Sequence, residues 1–295
     1  MRRNIFEILS KDFNIAYEIK TIWQLFRYDV EIMIPDNALF ETYQSINILS
    51  FVDAYIFKYW KSRNRCISPL DMMNRLGINE RNTMNIDRFS NEAIIVLEFI
   101  ENMIKQCDIA MKNFRFDSSD NYKILKENIT TFLDHFGYEK YYFEDQEQVI
   151  IIEKNSAAIS AAEISEPEIA KKIIQYNHYT LKGDIEAKKE ILITLSNEVE
   201  PQRKELEKVN KSFSDDLFFM FNNMNLRHNN KEPSNKYYKS FIATMDNNAL
   251  ESWYDETYQM ILLAKLLLDN VARMARIKIL KKNILGIQNE SEVDN

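Results

Sequence analysis

Glycine is scarce in this chain, with four glycines and five prolines in 295 residues. Sheets with tight turns draw on glycine for backbone conformations that other residues avoid, so this scarcity favours long helices joined by few loops. A hydrophobic content of 45% is typical of a globular protein, and 28% charged residues indicate a well-solvated surface. We therefore predict a mainly α fold of one large or two ordinary domains.

Several classes of protein are disfavoured by the same composition. No apolar run reaches the ~20 residues that a membrane helix requires, and charges interrupt the N-terminus where a signal peptide would need an apolar stretch. Cys66 and Cys107 have no CxxC partner, which favours a reduced, cytoplasmic protein and disfavours a zinc site. The net charge of −7 argues against broad nonspecific binding to nucleic acid but not against a local basic site. We expect neither a metal nor a cofactor, since the chain has no glycine-rich phosphate loop and no cluster of metal ligands.

The first part of the chain, residues 1–114, is predicted to be a helical domain. Its apolar positions recur at helical spacing. Ser68 and Pro69 form a typical helix start, because serine caps the free amides and proline suits the first helical position. The predicted long helices are 4–33, 38–62 and 88–112.

A linking segment, residues 115–155, is predicted to contain a helix and a β-hairpin. The helix, 121–136, ends at Gly137, a residue that commonly closes helices. The runs 141–143 and 149–152 are aromatic and β-branched and are separated by five polar residues, which is typical of a hairpin. This is the single sheet element that the sequence predicts.

Residues 156–287 are predicted to form a helical bundle with four principal helices, followed by a disordered acidic tail, 288–295. Pro201 should kink or split the second of these helices, because proline cannot donate a hydrogen bond within a helix. The predicted helices are 167–182, 185–210, 215–229 and 248–282.

The segment 215–230 is the most site-like stretch, since an acidic and apolar helix ends there in Asn, Arg and His. On a helix, Arg227 would share a face with Asn223, whereas His228 would point with the apolar residues toward the bundle. A guanidinium suits a phosphate, and an imidazole can exchange protons near neutral pH. The spacing alone leaves a structural alternative open, in which His228 is a core histidine and Arg227 pairs with a neighbouring acid.

The C-terminal part resembles the HEPN superfamily of four-helix domains found in abortive-infection proteins and toxin ribonucleases. The resemblance rests on Arg227-His228, which match the first two positions of the HEPN signature, and on the stretch 176–184. The closing histidine of that signature would fall at 232–234, where this chain has Glu, Pro and Ser. Either His228 takes over the acid-base role, or Tyr237, Tyr238 or Lys236 contributes, or the domain does not cleave RNA.

The resemblance implies a bacterial defence or toxin-like protein that cleaves RNA as a homodimer without a metal. Arg227 and His228 would be catalytic, and further binding partners would include an antitoxin or another defence-system protein. The alternative is a non-catalytic binding or assembly module of such a system. The predicted substrate-binding residues are Asn223, Asn229, Asn230, Lys231 and His178.

Overall fold

The computed structural model describes residues 13–35, 42–113 and 116–285. The chain divides into two compact units, an N-terminal unit of residues 1–154 and a C-terminal unit of residues 155–295. The prediction of a mainly α fold with a small hairpin is confirmed. No helix in the described ranges is both long and apolar enough to cross a membrane. The predicted acidic tail, 288–295, lies outside the described residues.

The N-terminal unit combines six helices with two small antiparallel sheets within its described ranges. Its first helix starts at a cap in which Asn14 Oδ1 accepts the amide of Tyr17 at 3.0 Å. The elements are α1 (Ile15–Gln24, continued by a π-helical turn Leu25–Asp29), β1 (Glu31–Pro35), β2 (Tyr43–Asn47), α2 (Ile48–Tyr55), α3 (Pro69–Arg75), α4 (Glu80–Met84), α5 (Asn91–Asn113), β3 (Asp117–Ser118), α6 (Asp120–His135), β4 (Tyr138–Phe143) and β5 (Gln148–Glu153), with short 3-10 turns at Phe57–Tyr59, Lys61–Arg63 and Glu144–Gln146.

Helix α5 is the centre of this unit, and the predicted hairpin packs on it. Strands β4 and β5 pair in antiparallel register, with Tyr141 opposite Ile150. The side chain of Asn102 accepts from the amide of Val149 at 2.9 Å and donates to its carbonyl at 2.7 Å. Glu98 accepts from the amide of Ile151 at 2.8 Å. Polar side chains of α5 therefore satisfy the outer edge of β5, which would otherwise be left unpaired.

Two of the predicted N-terminal helices are wrong in part. Within 4–33, only Ile15–Asp29 is helical among the described residues, and the chain then forms strand β1. Within 38–62, strand β2 precedes the shorter helix α2. These strands and β3 form a three-stranded antiparallel sheet, in the order β2-β1-β3, that the sequence analysis missed. Pairing of β1 with the following strand β2 and with the distant strand β3 decided these segments, not the local apolar spacing.

All the secondary-structure elements assigned to the described residues of the C-terminal unit are helical. The predicted break at Pro201 is confirmed, because the helix ends at Val199 and a 3-10 turn, Glu200–Gln202, separates it from the next one. The elements are α7 (Ser156–Glu163), α8 (Pro167–Tyr176), a 3-10 turn (Tyr179–Leu181), α9 (Ile185–Val199), α10 (Arg203–Val209), α11 (Lys211–Asn223), α12 (Ser240–Ala243) and α13 (Asn247–Ile284).

Helix α13 is the longest of these, and α7, α9, α10 and α11 all pack against its first half. A buried charge network joins it to α9. Lys188 Nζ lies 2.7 Å from both Glu251 Oε1 and Asp255 Oδ1, and the Tyr176 hydroxyl donates to the same Asp255 oxygen at 2.9 Å. The pKa of Glu251 reflects burial, which would raise it, but the Gly183 amide and Lys188 outweigh burial and lower it. The network fixes the register between two helices of the core.

Candidate functional site

Helix α11 ends six residues earlier than predicted. The predicted helix, 215–229, was to carry Arg227 and His228 on its last turn, whereas α11 closes at Asn223. Asn225 then adopts a left-handed conformation with φ of 57°, and the Arg227 amide donates to the Phe221 carbonyl at 3.1 Å. Asparagine tolerates this conformation better than most residues, so it terminates the helix. Arg227 and His228 therefore lie in a loop, and the helical faces predicted for them do not exist.

A pair of asparagines holds this loop in shape. The Asn225 amide donates to Asn230 Oδ1 at 2.8 Å, and the Asn230 amide donates to Asn225 Oδ1 at 3.2 Å. Asn230 Nδ2 also donates to the Tyr237 carbonyl at 2.8 Å. Asn230 is fully buried, so its predicted role in substrate binding is corrected to a structural one. Its side chain is occupied in the loop and has no free face for a ligand.

Arg227 is largely enclosed but incompletely bonded. Its side chain is 16% exposed, and Nη2 forms an ion pair with Glu200 Oε2 at 2.6 Å. The guanidinium lies over the rings of Phe218 and Phe221, at 5.3 and 5.2 Å from their centroids. Nε and Nη2 are buried without an aligned hydrogen-bond acceptor among the described residues, so the contact with Glu200 is one of charge more than of directed bonding. Burial lowers the pKa of Arg227, while the carboxylate of Glu200 opposes that effect.

The counter-ion of this arginine is accessible to water. Glu200 is 53% exposed and lies in the 3-10 turn that Pro201 creates between α9 and α10. An exposed carboxylate that holds a mostly buried guanidinium can be displaced by another anion without unfolding its own surroundings. The site therefore has the geometry of an arginine with an exchangeable anionic partner.

His228 belongs to a surface that we call the aromatic-basic loop, residues 227–241, whose last two residues form the start of α12. Its ring is half-buried and stacks on the ring of Tyr237, with centroids 3.8 Å apart and planes 11° apart. Lys236 Nζ lies 4.6 Å from the centroid of the same Tyr237 ring. Exposed rings and cations on one short loop form the type of surface on which nucleic acid bases stack. The loop's remaining exposed rings are Tyr238 and Phe241, and its other cations are Arg227, Lys231 and Lys239.

Three other predicted substrate-binding residues are Asn223, which precedes the loop, and Asn229 and Lys231, which belong to it. Asn223 Nδ2 donates to the Phe219 carbonyl at 2.8 Å. Asn229 is exposed, and its Oδ1 accepts the amides of Lys231 and Glu232 at 3.2 and 3.1 Å. Lys231 lines an open pocket of about 520 Å³ at the start of α9.

His178 lies in the connection between α8 and α9. Its Nδ1 is 2.7 Å from Thr180 Oγ1, and its ring packs on Tyr179 with centroids 4.3 Å apart. These contacts are with residues close to it in the chain, and its role in binding substrate stays a prediction.

Two features of the site were not predicted from the sequence. Glu200 was not selected, because 27 residues separate it from Arg227 and no local spacing rule connects them. Phe241 was not predicted either, and it begins a short apolar run with Ile242 and Ala243. Across the described ranges, no three His, Cys, Asp or Glu side chains converge as a metal site would require.

Comparisons with known proteins add no assignment to this geometry. No protein-family model matches the chain, and no match was found among curated proteins or solved structures. The HEPN resemblance stays a hypothesis that depends on Arg227-His228 and on the helical character of the C-terminal unit.

Proposed function

We propose that the C-terminal unit binds single-stranded RNA at the aromatic-basic loop and cleaves it without a metal ion. One observation supports this most: an incompletely bonded guanidinium is followed directly by a half-exposed imidazole stacked on an exposed tyrosine. Bases of single-stranded RNA stack on exposed rings, and lysines attract the phosphate backbone. RNA-binding defence proteins and toxins that resemble HEPN domains are the class that this arrangement fits.

Each residue has a distinct role in the proposed reaction. A phosphate displaces Glu200 and binds the planar donor fork of Arg227, which stabilises charge that develops on the phosphate oxygens. His228, as the neutral imidazole, accepts the proton of the adjacent ribose 2′-hydroxyl. The 2′-oxygen then bonds to phosphorus and the bond from phosphorus to the 5′-oxygen breaks. The 5′-oxygen takes a proton from water, the hydroxide so formed removes the proton from His228, and the products are a 2′,3′-cyclic phosphate and a 5′-hydroxyl.

Cleavage of end-labelled single-stranded RNA by the full chain, in the presence of EDTA, tests this proposal. Wild type should release fragments that end in a cyclic phosphate. His228→Gln should slow cleavage by at least about 100-fold while RNA affinity changes by less than about threefold, because only proton transfer is lost. Arg227→Lys should weaken both, since an ammonium cannot replace the planar fork.

Arg203→Lys is the matched control for Arg227→Lys. Arg203 also lies over Phe218, 4.6 Å from the ring centroid, and pairs with Glu207 at 2.7 Å. It lies outside the aromatic-basic loop, so cleavage should be unchanged. Cleavage that disappears with EDTA, or that His228→Gln leaves intact, would remove the proposed reaction.

A second candidate function is a non-catalytic binding or assembly module. It is favoured by the enclosure of Arg227 between Glu200 and two phenylalanine rings, which gives this arginine a structural use. This candidate predicts that the wild-type protein cleaves no RNA and that Arg227→Met lowers the thermal unfolding temperature. RNA cleavage that depends on His228 would rule it out.

A further inference from the structure

Helix α13 presents a second stripe of apolar residues on the side opposite its core contacts. Starting at Trp253 and stepping alternately by three and four residues, ten positions up to Ile284 lie along one line of the helix surface. Seven of these ten residues are apolar. None of the ten is buried, whereas Tyr254, Tyr258 and Ile261, which lie between them, are buried in the unit. We call this line the outer seam. A repeat of 3.5 residues is the pattern of a helix that pairs with another helix.

The second half of α13 is exposed to solvent along its whole described length. Every residue from Asn270 to Leu285 is exposed, over a length of about 24 Å at 1.5 Å per residue. These residues include Met274, Ile277 and Ile284. An isolated helical segment of this length is marginal in water, and exposed apolar residues in a line indicate a surface that another chain covers.

The charge on α13 is divided between its two halves. From Asn247 to Asp269 the helix has four acidic residues and one lysine. From Asn270 to Leu285 it has five basic residues and no acidic one. Parallel pairing of two copies would place the basic halves together, whereas antiparallel pairing places each basic half against the acidic half of the other copy.

One antiparallel register also pairs the outer seam with itself. When Glu256 of one copy faces Lys281 of the other, Met260 faces Ile277 and Leu263 faces Met274. Glu256 and Lys281 are the only charged positions of the seam, and neither has an ion pair within the described part of its own chain. The contact would extend about 47 Å along the helices, from Trp253 to Ile284.

We propose that two copies of this chain associate through the outer seam of α13 as an antiparallel helix pair, with Glu256 opposite Lys281. The exposed half of each helix covers the exposed face of the packed half of the other. The pairing is independent of the RNA-cleaving function, since it uses no residue of the aromatic-basic loop.

Charge exchange at the seam tests the partner and the register together. Wild type should sediment as a dimer at low micromolar concentration. Glu256→Lys alone or Lys281→Glu alone creates two like-charge pairs and should raise the dimer Kd by at least about tenfold. The double variant Glu256→Lys with Lys281→Glu restores opposite charges and should return the Kd to within about threefold of wild type. Arg276→Glu, the same kind of reversal off the seam, is the control for net charge.

Cysteine cross-linking provides a second measurement that does not depend on charge. A mixture of Leu263→Cys and Met274→Cys chains should form a mixed disulfide under mild oxidation. Leu263→Cys alone should form none, because its two copies would lie about 16 Å apart along the pair. The native cysteines, Cys66 and Cys107, are buried and do not compete. A monomeric wild type, a double variant that stays weak, or a disulfide in Leu263→Cys alone would overturn the proposal.

Discussion

Glu200→Gln should move protein stability and RNA affinity in opposite directions. The ion pair joins a 53% exposed Glu200 to a 16% exposed Arg227, and solvent screening at the carboxylate limits its contribution to stability to about 0.5–1 kcal/mol. The amide removes that contribution, and the free energy of unfolding should fall by about that amount. If RNA phosphate must displace Glu200 from Arg227, binding to the variant no longer has to break this ion pair. RNA affinity should therefore rise by the same 0.5–1 kcal/mol, which is about two- to fivefold.

Urea unfolding and fluorescence anisotropy with labelled single-stranded RNA measure the two quantities on the same preparation. Glu207→Gln is the matched control, because it removes the same charge from the partner of Arg203, at 2.7 Å, without freeing Arg227. In this control, RNA affinity should rise by no more than the loss of one negative charge causes. An affinity that falls with stability in Glu200→Gln, or that rises equally in both variants, would refute the exchange of Glu200 for phosphate.

Three further predictions concern the interior of the two units. Lys188→Met should lower the free energy of unfolding by about 3 kcal/mol, because Glu251 and Asp255 lose their buried counter-ion, and urea unfolding measures this loss. Burial raises the pKa of Glu101, although Lys140 opposes the effect. Wild type should therefore lose stability as the pH rises from about 4.3 through that raised pKa. A series of urea midpoints over this pH range should show the loss in wild type but not in Glu101→Gln. Asn230→Ala should cost about 2 kcal/mol by thermal unfolding, since it removes two hydrogen bonds of a fully buried side chain and leaves part-buried backbone groups of the loop without partners.

The elements that were predicted well from the sequence are marked by capping residues, prolines or turn residues next to them in the chain. The start of α3 follows from Ser68, whose Oγ accepts the amide of Asp71 at 3.0 Å, and from Pro69 at the first helical position. The hairpin follows from two β-branched and aromatic runs on either side of a polar turn. Pro201 broke its helix as proline chemistry requires.

The errors came from strand pairing that local apolar spacing does not reveal and from a helix end that was set too late. Strand β2 has an exposed, irregular pattern, and only its pairing with β1 makes it a strand. The end of α11 had a readable signal, because Asn222, Asn223 and Asn225 cluster there and asparagine favours the left-handed conformation that closes a helix. For the site, residue types predicted Arg227 and His228 as candidates, whereas the ion pair with Glu200 required the tertiary fold.

The salt dependence of RNA binding tests most directly whether RNA meets the aromatic-basic loop. Each lysine that contacts phosphate contributes about 0.7 to the slope of log affinity against log salt for a single strand. The full chain should bind labelled single-stranded RNA, and replacing Lys231, Lys236 and Lys239 together by glutamine should reduce that slope by about two. Identical slopes for wild type and the triple variant, or no binding by wild type at low salt, would contradict the account.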